Sequence, residues 1–412
     1  MSHARSVVPA MVRSRRARTA AATAALVLLG SALAACDGDS AAAPGAAPSG
    51  SAASESEDAV PAVSLTTSPR AGAKGVKVDR TIEVAADNGT IESVKVSSSA
   101  GKVAGELSAD GASWTATDRL EPGATYAVRT VATGEDGEQV TRTAKFRTQD
   151  LTLDQQTYPS VAPLPGETVG VGMPVIVRFD VPVTDHASFE KNMSVTTAPQ
   201  QKGSWYWLSD YEAHWRPKTY WKPGTEVSVD VDVNSVSAGN GIYGQESRQV
   251  DFEVGDAHIY KVNMVTHEMK VFSNGDLLRT IPITTGEQPA YTTRSGTKVI
   301  IEKFEKKDMN SETVGITGAD AYNISDVQWA MRLTYSGEFI HAAPWSVSSQ
   351  GVANVSHGCT GMSTENAGWL YAMSRRGDVV EYTGSDKPMT LDNGYGDWNA
   401  SWSDWKSGSA LS

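Results

Sequence analysis

From about residue 63 to residue 255 the chain is a succession of short apolar–polar alternations broken by Gly, Pro, Asn and Asp. TIEVAAD, SVKVSSS, TYAVRTVAT, TRTAKFRT, VIVRFDVPV, EVSVDVDV and RQVDFEV are the clearest. A period of two places every second side chain on one face, so each segment is a strand with one face to bury. A strand of this kind needs a facing sheet, which leaves few architectures open. An internal repeat narrows them further. Trp114 followed by Glu121-Pro122-Gly123-Ala124-Thr125 is matched by Trp215 followed by Lys222-Pro223-Gly224-Thr225-Glu226, at a constant offset of 101 residues. Two β-sandwich modules are therefore expected, at 63–149 and 150–255.

The modules have immunoglobulin-like size but no cysteine pair, so only their architecture is implied, and their expected role is spacing and support. Residues 256–385 form a third, β-rich region. HIYKVNMVTHEMKVFSNGDLLRTIPITTG reads as two strands around Asn274-Gly275, a pair suited to a tight hairpin because both central positions take positive φ. KVIIEKFEK, VQWAMRLTYSGEFIHAA and DVVEYTG add strands. Between the last two lies one helix, expected from a Ser363 cap through Trp369, Leu370 and Met373 and ended by Gly377. The tail, 386–412, carries Trp398, Trp402 and Trp405 on what a helical turn would make one face, and such a face should dock on the protein. The fold class is mainly β.

The first 35 residues contain Arg5, Arg13, Arg15, Arg16 and Arg18, no acidic residue, and then AAATAALVLLGSALAA. A basic start, an apolar middle too short for a comfortable membrane span and a small-residue end are expected of an export signal. Leu33-Ala34-Ala35-Cys36 resembles the lipobox of bacterial lipoproteins, which implies acylation of Cys36 and a lipid anchor on the outer face of the cell membrane. The alternative is a plain secretory signal with an incidental cysteine. Residues 36–62, rich in Ala, Gly, Ser, Pro and acid and without aromatics, are expected to form a disordered tether. Taking five arginines from the formal charge of −12 leaves −17, an electrostatic profile opposed to nucleic-acid binding.

Only two cysteines are present, Cys36 and Cys359. If the first takes a lipid, the second is an unpaired thiol in an exported chain, and it is an inert core residue, a metal ligand or a nucleophile. A reactive thiol needs a cation, a base or a helix N-terminus nearby. His357 lies two residues before Cys359, His341 lies 18 before it, and the expected helix starts four residues after it. His341, carried over by the intervening loop, is the better general base. Gly358 leaves room for a substrate carbonyl, and backbone N–H groups beside the thiol would form an oxyanion hole. A buried Cys–His pair without chemistry remains open. A zinc site on His341, His357 and Cys359 lacks a fourth ligand. Histidine before cysteine is the reverse of papain-like order.

Phe339-Ile340-His341-Ala342-Ala343-Pro344-Trp345-Ser346 followed by Ser356-His357-Gly358-Cys359 is similar to the signature of L,D-transpeptidases of the YkuD type. The likeness is to lipid-anchored actinobacterial members with two immunoglobulin-like domains ahead of the catalytic domain, and it extends to the Trp-rich tail. It implies cell-wall crosslinking: attack on the third residue of a peptidoglycan tetrapeptide stem, loss of D-Ala, and resolution of a thioester by the side-chain amine of a second stem. Hydrolysis by the same fold, an L,D-carboxypeptidase, and a non-catalytic wall-binding lipoprotein are the alternatives. By the resemblance Cys359 is the nucleophile and His341 the proton carrier, the Ala342 carbonyl orients the imidazole, the Gly358 and Cys359 N–H groups hold the oxyanion, and His357 supports the turn. Tyr322, Ser336, Gly337, Met309 and Ser356 are implied around the substrate, with Tyr322 one residue out of the usual interval. Carbapenem-type β-lactams are the implied inhibitors, and no cofactor is implied. Gly361 stands where the family usually has Asn or Arg, which removes a donor to the substrate.

Overall fold

The computed structural model describes residues 60–412. The expected export signal, Cys36 and residues 36–59 of the expected tether lie outside the described residues. Strands dominate, as the alternation requires. In the first sandwich, one sheet runs Ser64–Ser68, Glu83–Asp87, Ser113–Ala116, Gly105–Leu107. The other runs Gly101–Val103, Gly89–Ser98, Thr125–Gly134, Gln139–Arg147. Ile82, Val84, Leu120, Tyr126 and Phe146 fill the space between them.

The second sandwich pairs Pro159–Ala162, Val175–Phe179, Glu212–Pro217 and Gly203–Ser209 in one sheet. Its partner sheet is Thr168–Val169, Arg248–Val254, Glu226–Val231 and Met193–Ala198. The repeat seen in the sequence goes deeper here. Gly123 and Gly224 occupy matching turns with φ of 65° and 71°. In each sandwich the repeated tryptophan lies flat over a glycine of the neighbouring strand. A Cβ on Gly105 would fall 2.1 Å from the Trp114 ring, and one on Gly203 would fall 2.1 Å from the Trp215 ring. Only glycine leaves room for the indole at these two places.

The sandwiches are joined by polar contacts centred on Arg119, whose guanidinium donates to the Asp232 carbonyl at 2.9 Å, the Asn234 carbonyl at 3.2 Å and Asn192 Oδ1 at 2.7 Å. The second sandwich and the region after it share a core. Val169, Val171 and Met173 belong to the same buried cluster as Val299, Ile301 and Val379. Two glycines make this possible: Gly170 N–H and Gly172 N–H donate to the carbonyls of Arg376 and Gly377, each at 2.8 Å. A Cβ on Gly170 would lie 2.2 Å from the Asp378 nitrogen.

Beyond residue 256 a five-stranded sheet has the order Asp276–Pro282, Glu268–Ser273, His258–Asn263, Val379–Thr383, Gly296–Val299. Asn274 and Gly275 close its hairpin with φ of 49° and 93°. A four-stranded sheet, Glu302–Asn310, Asn323–Arg332, Phe339–Ala342, Thr360–Met362, carries the candidate site. The helix Thr364–Met373 is capped by Ser363, whose hydroxyl accepts from Asn366 N–H. It stops at Met373 rather than at Gly377, and it buries Ala367 and Leu370, while Trp369 and Met373 are only half-buried. Of the expected stripe Leu370 is in the core, and Trp369 and Met373 pack against its margin.

The tail departs from a single helical face. Trp398 lies in a short 3-10 turn and Trp402 begins the helix Trp402–Ser407. The three indoles surround the Arg216 guanidinium at 4.7, 5.5 and 4.6 Å. Trp398 and Trp405 also donate to the carbonyls of Gly172 and Ser204. A second anchor is His214, buried between Asp397 at 2.7 Å and Glu212 at 2.6 Å. Those carboxylates hold its imidazolium up to about 9 against the opposing effect of burial. Because Trp405 is fully buried, Trp405→Ala should cost about 3–5 kcal/mol. Urea unfolding followed by tryptophan fluorescence, with a lowered midpoint expected, checks this.

Candidate active site

Phe339, Ile340, His341 and Ala342 are all buried, and their strand pairs in parallel with Thr360–Met362, placing His341 level with Gly361. Cys359 immediately precedes the second strand, so sheet pairing fixes the thiol relative to the imidazole despite 17 intervening residues. Tight backbone geometry sets the last step. Gly358 has φ of +123°, and its carbonyl accepts from Thr293 Oγ1 at 2.8 Å. Ser356 Oγ donates to the Cys359 carbonyl at 2.6 Å and accepts from the Gly358 N–H at 3.2 Å. The Gly358 N–H, expected to face an oxyanion, is thus already occupied within its own turn.

Cys359 is 7% exposed and donates weakly to the Gly337 carbonyl at 3.5 Å. Burial pushes its thiol up to about 11. It is not at a helix N-terminus: the strand Thr360–Met362 separates it from the helix. His341 Nδ1 lies 2.8 Å from the Ala342 carbonyl. That oxygen can only accept, so Nδ1 carries the proton and Nε2 is the basic nitrogen of the neutral ring. Burial lowers the His341 pKa, and the bond to Ala342 works against that shift. The two groups therefore rest as a neutral thiol and a neutral imidazole, and the arrangement suits proton transfer during attack rather than a preformed ion pair.

Two cavities meet at the sulfur. One of about 330 Å³ is lined by His341, Trp345, His357, Tyr322 and Met309. The other, of about 220 Å³, is lined by Gly337, Tyr335, Arg332, Tyr322 and Met309. Cys359 lines both. Trp345 stacks against His341 with ring centres 5.8 Å apart. His357 is exposed, its ring 4.4 Å from Tyr291 and 5.0 Å from Tyr322. Ser336 is not brought into either cavity; its hydroxyl accepts from Arg294 at 3.0 Å and from Asn393 at 2.9 Å. The packing also accounts for Gly361. A Cβ there would meet the Ala343 methyl at 2.8 Å and the Thr284 methyl at 3.2 Å, so the floor is closed by neighbours where a longer side chain was expected.

Sequence reasoning missed the polar cluster beneath the thiol. Lys298 and Glu338 are buried and in contact, and Arg294 Nη1 meets Glu338 at 2.9 Å. Among the described residues no group of three or more His, Cys, Asp or Glu is arranged to hold a metal ion.

Residues 257–381 match the L,D-transpeptidase catalytic domain family, YkuD, and residues 73–237 match a bacterial Ig domain family. L,D-transpeptidase 2 of Mycobacterium tuberculosis is 38% identical over 352 residues, 84% of this chain and 85% of that protein. L,D-transpeptidase 5 of the same species is 35% identical over 359 residues, 85% of this chain and 78% of that protein. The solved L,D-transpeptidase LdtMt1 in complex with imipenem is 37% identical over 54% of this chain and 97% of that one, with a TM-score of 0.48.

The crowding at Gly361 has a measurable result. Gly361→Asn should lower stability by about 1–3 kcal/mol through overpacking against Ala343. Ala343→Gly in the same chain should recover most of the loss, as read by chemical denaturation of the single and double variants.

Proposed function

The chain belongs to the L,D-transpeptidase family and is an acyltransferase; from that premise we propose that it forms 3→3 crosslinks in peptidoglycan. The observation that carries this reading is a single buried thiol at the meeting point of two cavities, with the basic nitrogen of His341 free of the backbone. One cavity takes the donor tetrapeptide stem and the other the acceptor. Cys359 Sγ attacks the carbonyl of the third stem residue as its proton passes to His341 Nε2. The Cys359 N–H faces the developing oxyanion. When the intermediate collapses, the C–N bond to D-Ala breaks and His341 returns the proton to the departing amine. The thioester keeps the energy of the cleaved amide, so no nucleotide is needed outside the cell. A side-chain amine from the second stem then attacks, loses its proton to His341 and releases the thiol. Tyr322 and Met309 border both cavities and contact the substrate; Ser356 holds the turn.

We place the enzyme outside the cell, tethered through lipid on Cys36 and facing the wall, on the strength of Leu33-Ala34-Ala35-Cys36. Cys36→Ala should move the protein from the membrane fraction to the soluble one, and unchanged fractionation argues against the anchor. Carbapenems are the proposed inhibitors, acylating Cys359.

Two measurements test the chemistry. Protein lacking residues 1–36 is incubated with disaccharide-tetrapeptide and its products weighed: a dimer less D-Ala is expected, whereas tripeptide alone identifies a hydrolase. A carbapenem should add one adduct that Cys359→Ala abolishes. His341→Gln should slow that acylation by about 10²–10⁴-fold, and a larger effect from His357→Ala would transfer the base to His357.

A further inference from the structure

A lysine with no exposed surface, paired with a glutamate that follows the residue receiving the Cys359 thiol, calls for an explanation. Lys298 lies in the strand Gly296–Val299 with its ammonium in contact with Glu338 and 3.7 Å from the centre of the Tyr382 ring. Glu338 is 5% exposed and accepts from the Arg294 N–H at 3.1 Å and from Arg294 Nη1 at 2.9 Å. The cluster thus holds two cations and one anion. Burying it is costly, and a buried ion pair is weak grounds for stability alone.

Its connections run to the thiol from three sides. Glu338 follows Gly337, whose carbonyl receives the Cys359 thiol. Arg294 follows Thr293, whose hydroxyl holds the Gly358 carbonyl, and its guanidinium also holds Ser336. Tyr382, under the Lys298 ammonium, is hydrogen-bonded through its hydroxyl to Thr360 Oγ1 at 2.7 Å. The space beneath Gly358 is closed by Glu338, with 3.9 Å between Glu338 Cγ and a Cβ placed on that glycine.

We propose that Lys298 is a positioning residue for the acyl transfer: its positive charge, together with Arg294, offsets the Glu338 carboxylate behind Cys359 and favours the thiolate and oxyanion that form during attack. The proposal rests on Cys359 being the nucleophile. The charged and titratable groups facing Lys298 are Glu338, Arg294, Tyr382 and Cys359. Glu338 opposes the Cys359 thiolate and Lys298 favours it. Burial brings the Lys298 ammonium down to about 8, so its charge is present at neutral pH and is lost as pH rises through that value. The Tyr382 hydroxyl is held far above its ordinary range by burial and keeps its proton throughout.

The test is the pH dependence of carbapenem acylation by the chain lacking residues 1–36, followed by stopped-flow absorbance, with intact mass checking a single adduct on Cys359. Wild type should show a plateau near neutrality and a fall as pH rises through about 8. Lys298→Met should be about tenfold slower at pH 7 and lack the fall. K298M/E338Q, which removes the opposing anion and keeps the volume, should recover most of the rate and still lack it. Thermal unfolding of each variant accompanies the kinetics. If Lys298→Met keeps the wild-type rate, or both variants are equally slow and retain the alkaline fall, the proposal is overturned. If Lys298→Met does not fold, the double variant decides: a near wild-type rate without the fall supports the proposal, and a retained fall overturns it. Absence of any adduct on wild type would instead remove the nucleophile assignment.

Discussion

The parallel pairing of Phe339–Ala342 with Thr360–Met362 is the contact on which the site depends. It brings His341 level with Gly361, two residues from Cys359, and requires the 17 residues between His341 and Cys359 to fold back as a loop. That loop supplies Trp345, His357 and the Ser356 turn, so one register determines the place of His341, the wall of one cavity and the backbone at Cys359. A slip of one residue would turn every side chain of either strand to the opposite face and separate the pair. The pairing survives because both strands are buried and their edges are covered.

The electrostatics of the resting site follow from the same burial. A thiol at about 11 beside an imidazole below its ordinary value stores no thiolate. A neutral thiol is a poor nucleophile, so attack by the proposed route needs the imidazole to take the proton as it proceeds. The backbone beside the thiol is engaged as well: the Gly358 N–H donates to Ser356 Oγ.

What could be read from the sequence was what depends on neighbouring residues. Alternation specified the sandwiches, Asn274-Gly275 the hairpin, and the histidine–cysteine signature the chemical pair. What could not be read depends on distant partners. The strand after Cys359 forms because Phe339–Ala342 lies beside it, and it fills the gap between the thiol and the Ser363 cap. Lys298 sits in an alternation that gives no hint of a buried charge, since its partner Glu338 lies 40 residues on. At Gly361 the space a side chain would need is taken by Ala343, which lies 18 residues back in the chain. The tail tryptophans were legible as a surface to be covered, but Arg216, which they cover, lies in another strand.

The core shared by the second sandwich and the region beyond residue 256 bears on how such chains are assembled in evolution. Gly170 and Gly172 let two backbones touch where separate modules would present side chains to water. Recombination that cut the gene at residue 255 would strand Val299, Ile301 and Val379 without half of their packing. The first sandwich has an apolar core of its own and meets the second through polar contacts around Arg119, so a cut between them leaves both cores whole. By core packing the second sandwich, the region beyond residue 256 and the tail therefore form one inseparable unit, and the first sandwich is a separable one.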